Sequence, residues 1–341
     1  MKRRGVTVIL GALLTALLAY GVFAAPVPYV VLGPGPTVDT LGSSDGAEVI
    51  QISGTETSES AGQLRLTTVG VRPNVGLREA VTGWLRDSEA VVPYEVIYPP
   101  GQTQEEVEER NAEDFAASQT SAETAALRQL GYPVQVQVRA VTPDGPSVGL
   151  LQVDDVITSV DGTEVTSATE LTELIRAEPE GTALTIGYTR DGEPGAVPIT
   201  TRATDGGPPR IGIEIVEEQP HPFELTIDLD EIGGPSAGLM FALGIIDKLD
   251  PDDLTGGKII AGTGTIDHEG TVGAIGGIPQ KLVGAKSAGA VAFLVPAANC
   301  EEALANAQPD LPLLRVATLD EALDALATLR TGGDPTLCGG N

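Results

Sequence analysis

Aromatic residues make up only 4% of the 341 residues, and there is a single tryptophan, Trp84. A core must therefore be built from Val, Leu, Ile and Ala, which a hydrophobic fraction of 41% permits. Histidine is limited to His221 and His268, and neither sits in a ligand-spaced cluster. The two cysteines, Cys300 and Cys338, cannot make a tetrahedral zinc site alone, so no metal and no cofactor is expected. Basic residues number 20 against 48 acidic, a net charge of −28 that repels nucleic acid and anionic lipid surfaces. Only five lysines are present: Lys2, Lys248, Lys258, Lys281 and Lys286. No GxxxxGK[ST] motif, dinucleotide fingerprint or internal repeat occurs.

The N-terminus carries Lys2, Arg3 and Arg4, followed by 21 uncharged and largely apolar residues, 5–25. That length is enough to span a bilayer core. The basic flank keeps residues 1–4 in the cytoplasm and exports the body, as a single-pass protein of the cell membrane. The competing reading is a cleaved signal peptide, with Val22, Phe23 and Ala24 near a cleavage site; the apolar run is long for that. Outside the cytoplasm Cys300 and Cys338 can persist as a disulfide; two free thiols are the alternative.

Residues 26–36 are rich in Pro and Gly, which forbids helix and predicts an extended stalk or leading strand. Residues 64–71 read as a strand, 77–85 as a short helix, and 104–130 as a long helix without Gly or Pro. Residues 134–141 (VQVQVRAV) alternate as a half-buried strand. A turn into a strand over 149–157, a tight turn at Asp161 and Gly162, a helix over 167–176 and a strand over 184–190 follow. Strands broken by short helices over about 70 residues suggest a small domain. A Pro/Gly-rich break at 205–209 precedes strands at 211–216 and 223–229.

From Ser236 the sequence reads as a helix apolar nearly all round, hence buried. Ser236 opens it, just after Gly233, Gly234 and Pro235. Free amides and the positive end of the helix dipole lie beside such a hydroxyl and suit an oxyanion. A plain helix cap is the bland use of the same serine. A serine nucleophile needs a base. His268 sits in a polar turn and His221 between prolines. Lys281 fits best: it follows Gly276, Gly277, Ile278, Pro279 and Gln280, and its next neighbours are apolar or small. Burial would make it neutral near pH 7, although a solvated lysine is the default.

The ordered motifs GPSAG (234–238), GTGTI (262–266) and GTVGAIGGIPQKLVGAKSAG (270–289) resemble the proteolytic domain of Lon. The resemblance covers about 206–330. It implies Ser236 as nucleophile, Lys281 as base and Thr263 as the lysine's hydrogen-bond partner, with Gly234, Pro235 and Ala237 supporting. The family often has an acidic residue where Gly233 or Gly234 stands, although Asp230 and Glu231 are close by. Residues 131–205 resemble a PDZ domain, with Asp154 where a glycine is usual. The resemblance makes residues 131–134, Gly131, Tyr132, Pro133 and Val134, a candidate carboxylate loop; an ordinary helix-to-strand turn is the alternative.

Together these resemble the YlbL-type Lon-like serine proteases with an inserted PDZ domain. The implied fold is α+β: a transmembrane anchor (1–25), a stalk and N-terminal part of the Lon-like fold (26–130), a small β-rich PDZ-like domain (131–205), the proteolytic domain (206–330) and a tail (331–341). Residues 45–130 are then expected to pack with the C-terminal half. The implied function is an ATP-independent serine endopeptidase with protein or peptide substrates, possible as a hexamer by analogy. An exported PDZ scaffold with an inactive protease fold is the alternative; a metalloenzyme lacks any ligand cluster.

Overall fold

The computed structural model describes residues 2–44, 46–203, 206–229 and 233–340, the side chains of residues 2–5, 19 and 22–24 excepted. Its chain divides into two compact units, residues 1–126 with 225–341, and residues 127–224.

The first unit opens with α1 (Lys2–Ala24). Strand β1 (Tyr29–Asp39) follows, so the Pro/Gly-rich stretch is a strand rather than a free stalk. Then come β2 (Gln63–Arg72), α2 (Leu77–Trp84), β3 (Ala90–Pro93) and α3 (Gln104–Gln129). In the second unit, β4 (Gln135–Val141) and β5 (Val156–Val160) precede α4 (Ala168–Ala177), β6 (Ala183–Arg190), β7 (Glu193–Thr200) and β8 (Ile213–Glu218). The chain then returns through α5 (Gly238–Leu249), β9 (Ile259–Gly262), α6 (Ile278–Ser287), β10 (Ala292–Pro296), β11 (Leu313–Val316) and α7 (Leu319–Arg330).

In the first unit one sheet runs β11-β10-β9-β2-β1-β3. The strands β2, β9, β10 and β11 are mutually parallel, and β1 is antiparallel to both β2 and β3. All five residues of β10 are buried, as a central parallel strand requires. The helix α5 is buried from Gly238 to Asp247, so its all-round apolar sequence has nowhere else to go. Packing between α6 and β10 uses Ile278, Leu282, Phe293 and Val295. Cys300 and Cys338 form a disulfide, which ties the C-terminal tail to this core.

The second unit is an antiparallel sheet in the order β7-β6-β5-β4-β8, filled by Val136, Val138, Ile157, Leu171, Ile175, Leu184 and Ile186. It extends beyond the Pro/Gly break at which the sequence suggests an end. The reason is pairing: β8 lies antiparallel to β4 and completes the sheet. Asp154 has φ 71°, the left-handed conformation that glycine adopts without strain, which accounts for a glycine being usual there. Its neighbour Asp155 is fully buried and paired with Arg190 through contacts of 2.6 and 2.7 Å. Burial pushes its carboxyl up, but the Arg190 and Gln152 hydrogen bonds outweigh this and hold it below the usual range.

Among the described residues no helix is long and apolar enough to cross a membrane. Part of the expected anchor, residue 1 and the side chains of 2–5, 19 and 22–24, lies outside them.

Candidate active site

Three elements converge on Ser236. The first is a 3-10 turn, Pro235–Ala237, that leads into α5. Gly234 precedes it with φ 88°, a conformation that a side chain would strain. Its amide donates to Asn111 O of α3 at 2.8 Å, and Ser118 Oγ of α3 donates to Pro235 O at 3.0 Å. The turn is thus braced from α3 on both sides of its proline. Gly238 permits the close approach that follows: a Cβ there would stand 2.9 Å from both Ile266 Cγ2 and Ser118 Oγ. Larger residues at 238 would push the serine off its seat.

The second element is the end of β9, which delivers Thr263, fully buried. Its Oγ1 donates to Ser236 O at 3.0 Å, and the Gly264 amide donates to the same carbonyl at 3.0 Å. The third is α6, which Pro279 opens within the first turn and which supplies Lys281. Lys281 is 2% exposed. Its Nζ lies 2.8 Å from Ser236 Oγ and 2.7 Å from Thr263 Oγ1. Burial alone lowers its pKa from the ordinary 10.5 to about 7.

A cleft of about 660 Å³ opens over this group, lined among others by Thr67, Val69, Val71, Ala237, Ile275 and Gly276. Among its lining residues Lys281 is the one charged side chain. Strand β2 supplies one wall. Its partner β9 pairs with Gln63 to Leu66 only, so on that side the stretch from Thr67 onward borders the cleft as a strand edge.

The structure therefore brings Ser236, Lys281 and Thr263 together, with Gly234, Pro235 and Ala237 forming the turn that carries the serine. The other described lysine amines are committed elsewhere: Lys248 pairs with Glu48 at 2.8 Å, Lys258 reaches Leu329 O and Lys286 reaches Asp310 O, both at 3.4 Å. Asp230 and Glu231 lie outside the described residues. Asn111 and Ser118 were not anticipated; both stand in a polar, acidic helix more than 100 residues upstream, where nothing local marks them.

Residues 131–134 form the turn that leaves α3. Gly131 has φ 88°, its amide donates to Arg128 O, and the Tyr132 amide donates to Leu127 O. This pair of bonds is a Schellman helix end. Those two amides are therefore engaged in closing the helix, as in an ordinary helix-to-strand turn. In the same unit a groove of about 340 Å³ instead runs between α4 and the edge strand β8. It is lined by Leu171, Ile175 and Arg176 on one side and by Arg210, Gly212 and Ile213 on the other.

Residues 231–328 match the Lon protease (S16) C-terminal proteolytic domain, and residues 106–201 match the PDZ domain. Lon protease 1 of Sorangium cellulosum is 39% identical over 101 residues, covering 29% of this chain and 12% of that one. A Lon protease of Clostridioides difficile is 36% identical over 102 residues, covering 29% and 13%. The chain thus spans about an eighth of the length of these relatives. The PDZ domain of an SdrC-like protein from Listeria monocytogenes is 30% identical, with a TM-score of 0.23, over 24% of this chain and 86% of that domain. Its counterpart from Listeria innocua is 31% identical, with a TM-score of 0.23, over 26% and 97%. Residues 231–328 thus correspond to a Lon-type C-terminal proteolytic domain, and residues 106–201 to a PDZ domain that precedes it in sequence.

Proposed function

We propose that this protein is a membrane-anchored serine endopeptidase that works without ATP, with Ser236 as nucleophile and Lys281 as general base. The observation that carries the reading is the 2.8 Å contact between Lys281 Nζ and Ser236 Oγ, made by an amine whose pKa burial has lowered to about 7. In its neutral form the amine presents a lone pair, and the serine hydroxyl donates to it. As Oγ bonds to the peptide carbonyl carbon, its proton passes to Nζ. The same proton then goes to the leaving amine, and water hydrolyses the acyl-enzyme. Thr263 positions the amine by accepting one of its N–H bonds. The amides of Ser236 and Ala237 start the helical segment and are placed to hold the oxyanion. A substrate in extended conformation adds along the free edge of β2.

Membrane anchoring is supported by α1. Val8, Ile9, Leu10, Leu13, Leu14, Leu17 and Leu18 are all exposed, so apolar side chains face every direction and call for an apolar surrounding. The Lys2–Arg3–Arg4 flank supports a cytoplasmic N-terminus and an extracytoplasmic body.

Full-length protein should hydrolyse an unfolded polypeptide with no nucleotide added, and a serine-directed covalent probe should mark Ser236. A protein that neither cleaves nor labels would be the binding scaffold instead.

The PDZ groove is proposed to take a peptide C-terminus, with Arg176 and Arg210 supplying positive charge near the carboxylate. Arg210→Glu should weaken such a peptide roughly fivefold in a fluorescence-polarisation titration. An amidated peptide should bind weakly to both forms; equal affinity for the amidated and free peptides would place recognition elsewhere.

A further inference from the structure

Directly after α1 the chain is fixed to the body. The Val27 amide donates to Val75 O at 3.1 Å, and Pro26 forms a bridge with Gly76. Val27 then lines an apolar groove of about 350 Å³ together with Tyr29, Leu77, Ala80, Val81, Trp84 and Val91. Ala80 and Gly83 turn inward and pack α2 on the sheet. Leu77, Val81 and Trp84, at i, i+4 and i+7, form the adjoining stripe, and Leu85 extends it. This outer face is uncovered: Trp84 is 81% exposed, Leu85 78% and Val81 45%. Exposing the chain's sole tryptophan this far, among other apolar side chains, is unfavourable in water.

Charge on this face differs from the rest of the molecule. Residues 71–91 hold Arg72, Arg78 and Arg86 against Glu79, Asp87 and Glu89, a balance of three to three in a chain of net −28. Glu89 is already engaged by Arg72 at 2.7 Å and by Arg86 at 3.0 Å. Elsewhere the acidic excess repels lipid phosphates; here it does not.

We propose that α2 seats the body on the outer surface of the same membrane that holds α1, with Trp84, Leu85 and Val81 entering the interfacial layer of a zwitterionic bilayer. The inference rests on the anchor reading above and goes beyond it. Two residues, Ala25 and Pro26, separate the end of α1 from Val27 of the groove, so the span is about 10 Å of chain at full extension. The polar layer flanking the hydrocarbon core is about 5–8 Å deep on each side, so the groove falls at its depth. Tryptophan and arginine are the residues that suit this layer, the indole between apolar and wet zones and the guanidinium against phosphate. Docking also holds the protease body at a fixed height instead of leaving it to swing.

Trp84 is its own reporter, because no other tryptophan contributes to emission. The full chain is placed in phosphatidylcholine nanodiscs, one chain per disc, with or without brominated lipid. The expected result is blue-shifted emission, loss of more than half of the intensity with brominated lipid, and little quenching by aqueous iodide. A V81S/L85S variant, which leaves Trp84 and the cleft untouched, should return the emission to its water-exposed position while hydrolysing a soluble peptide normally. Water-like emission in the wild type, or unchanged emission in the variant, overturns the docking. So does a blue shift that needs two chains per disc and ignores brominated lipid, since a second copy would then cover the groove. Release of the chain from membranes by alkaline carbonate would instead overturn the anchor reading, and the docking with it.

Discussion

Ser236→Ala is expected to lower peptide hydrolysis by about 10⁴-fold or more while leaving the protein folded. The two halves of that expectation have separate causes. Activity falls because the attacking atom is gone, and the other hydroxyl in contact with Lys281, Thr263 Oγ1, is fully buried and donates to Ser236 O. The fold survives because the turn does not depend on Oγ. Gly234 N, Pro235 O and Ser236 O keep their partners in Asn111, Ser118, Thr263 and Gly264. Lys281 loses one contact and keeps the 2.7 Å contact to Thr263, a cost of about 1 kcal/mol. Steady-state hydrolysis and thermal unfolding of the same preparation check both halves. Residual activity within tenfold of wild type would remove Ser236 from the nucleophile's role.

Much of this site was readable from the chain because its chemistry is local. The apolar run after Ser236 predicted a buried helix, and Pro279 with the small residues around Lys281 predicted a second one. The pairing of serine with lysine could be selected because so few bases were available. Alternation over residues 134–141 announced β4, and the lack of Gly and Pro over 104–130 announced α3. What could not be read depends on contacts distant in sequence. Asn111 and Ser118 look like surface residues of an acidic helix until the turn at Gly234 is seen against them. The membership of β8 in the second sheet is set by its pairing with β4, across a Pro/Gly-rich break that reads as a boundary. The strand β7 contains Pro194 and Pro198 and went unrecognised; as an edge strand bonded only to β6, it tolerates them. Residues 131–134 pose the converse difficulty. Glycine at a helix end has two uses, and only the bonds of the Gly131 and Tyr132 amides distinguish a cap from a binding loop.

Lys281→Met should abolish hydrolysis, by about 10³-fold or more, and at the same time make the protein more stable. A residue that both works and weakens the fold is what a buried base implies. The folded-state pKa is about 7 against an ordinary 10.5, so the unfolded chain holds a proton that the folded one releases. Stability from this group is therefore complete above pH 10.5. It falls by about 1.4 kcal/mol per pH unit as the pH drops toward 7, and is fully lost below 7. At pH 7 the accumulated cost is about 4 kcal/mol. Methionine fills a similar volume and carries no proton, so it removes that cost. It also gives up the contacts to Ser236 and Thr263, about 1 kcal/mol each. The net gain is about 2 kcal/mol, a rise in Tm of roughly 4–8 °C at neutral pH. The gain should vanish near pH 9, where the protonation cost has fallen to about 2 kcal/mol, and become a loss of about 2 kcal/mol above pH 10.5, where the wild-type lysine is neutral in both states. The same pKa sets the wild-type rate. Below pH 7 kcat/KM should rise about tenfold per unit as Lys281 loses its proton, and then level off above about pH 8. A methionine variant no more stable than wild type at pH 7, or a rate profile flat from pH 5 to 9, would mean that Lys281 is not a buried amine titrating near neutrality.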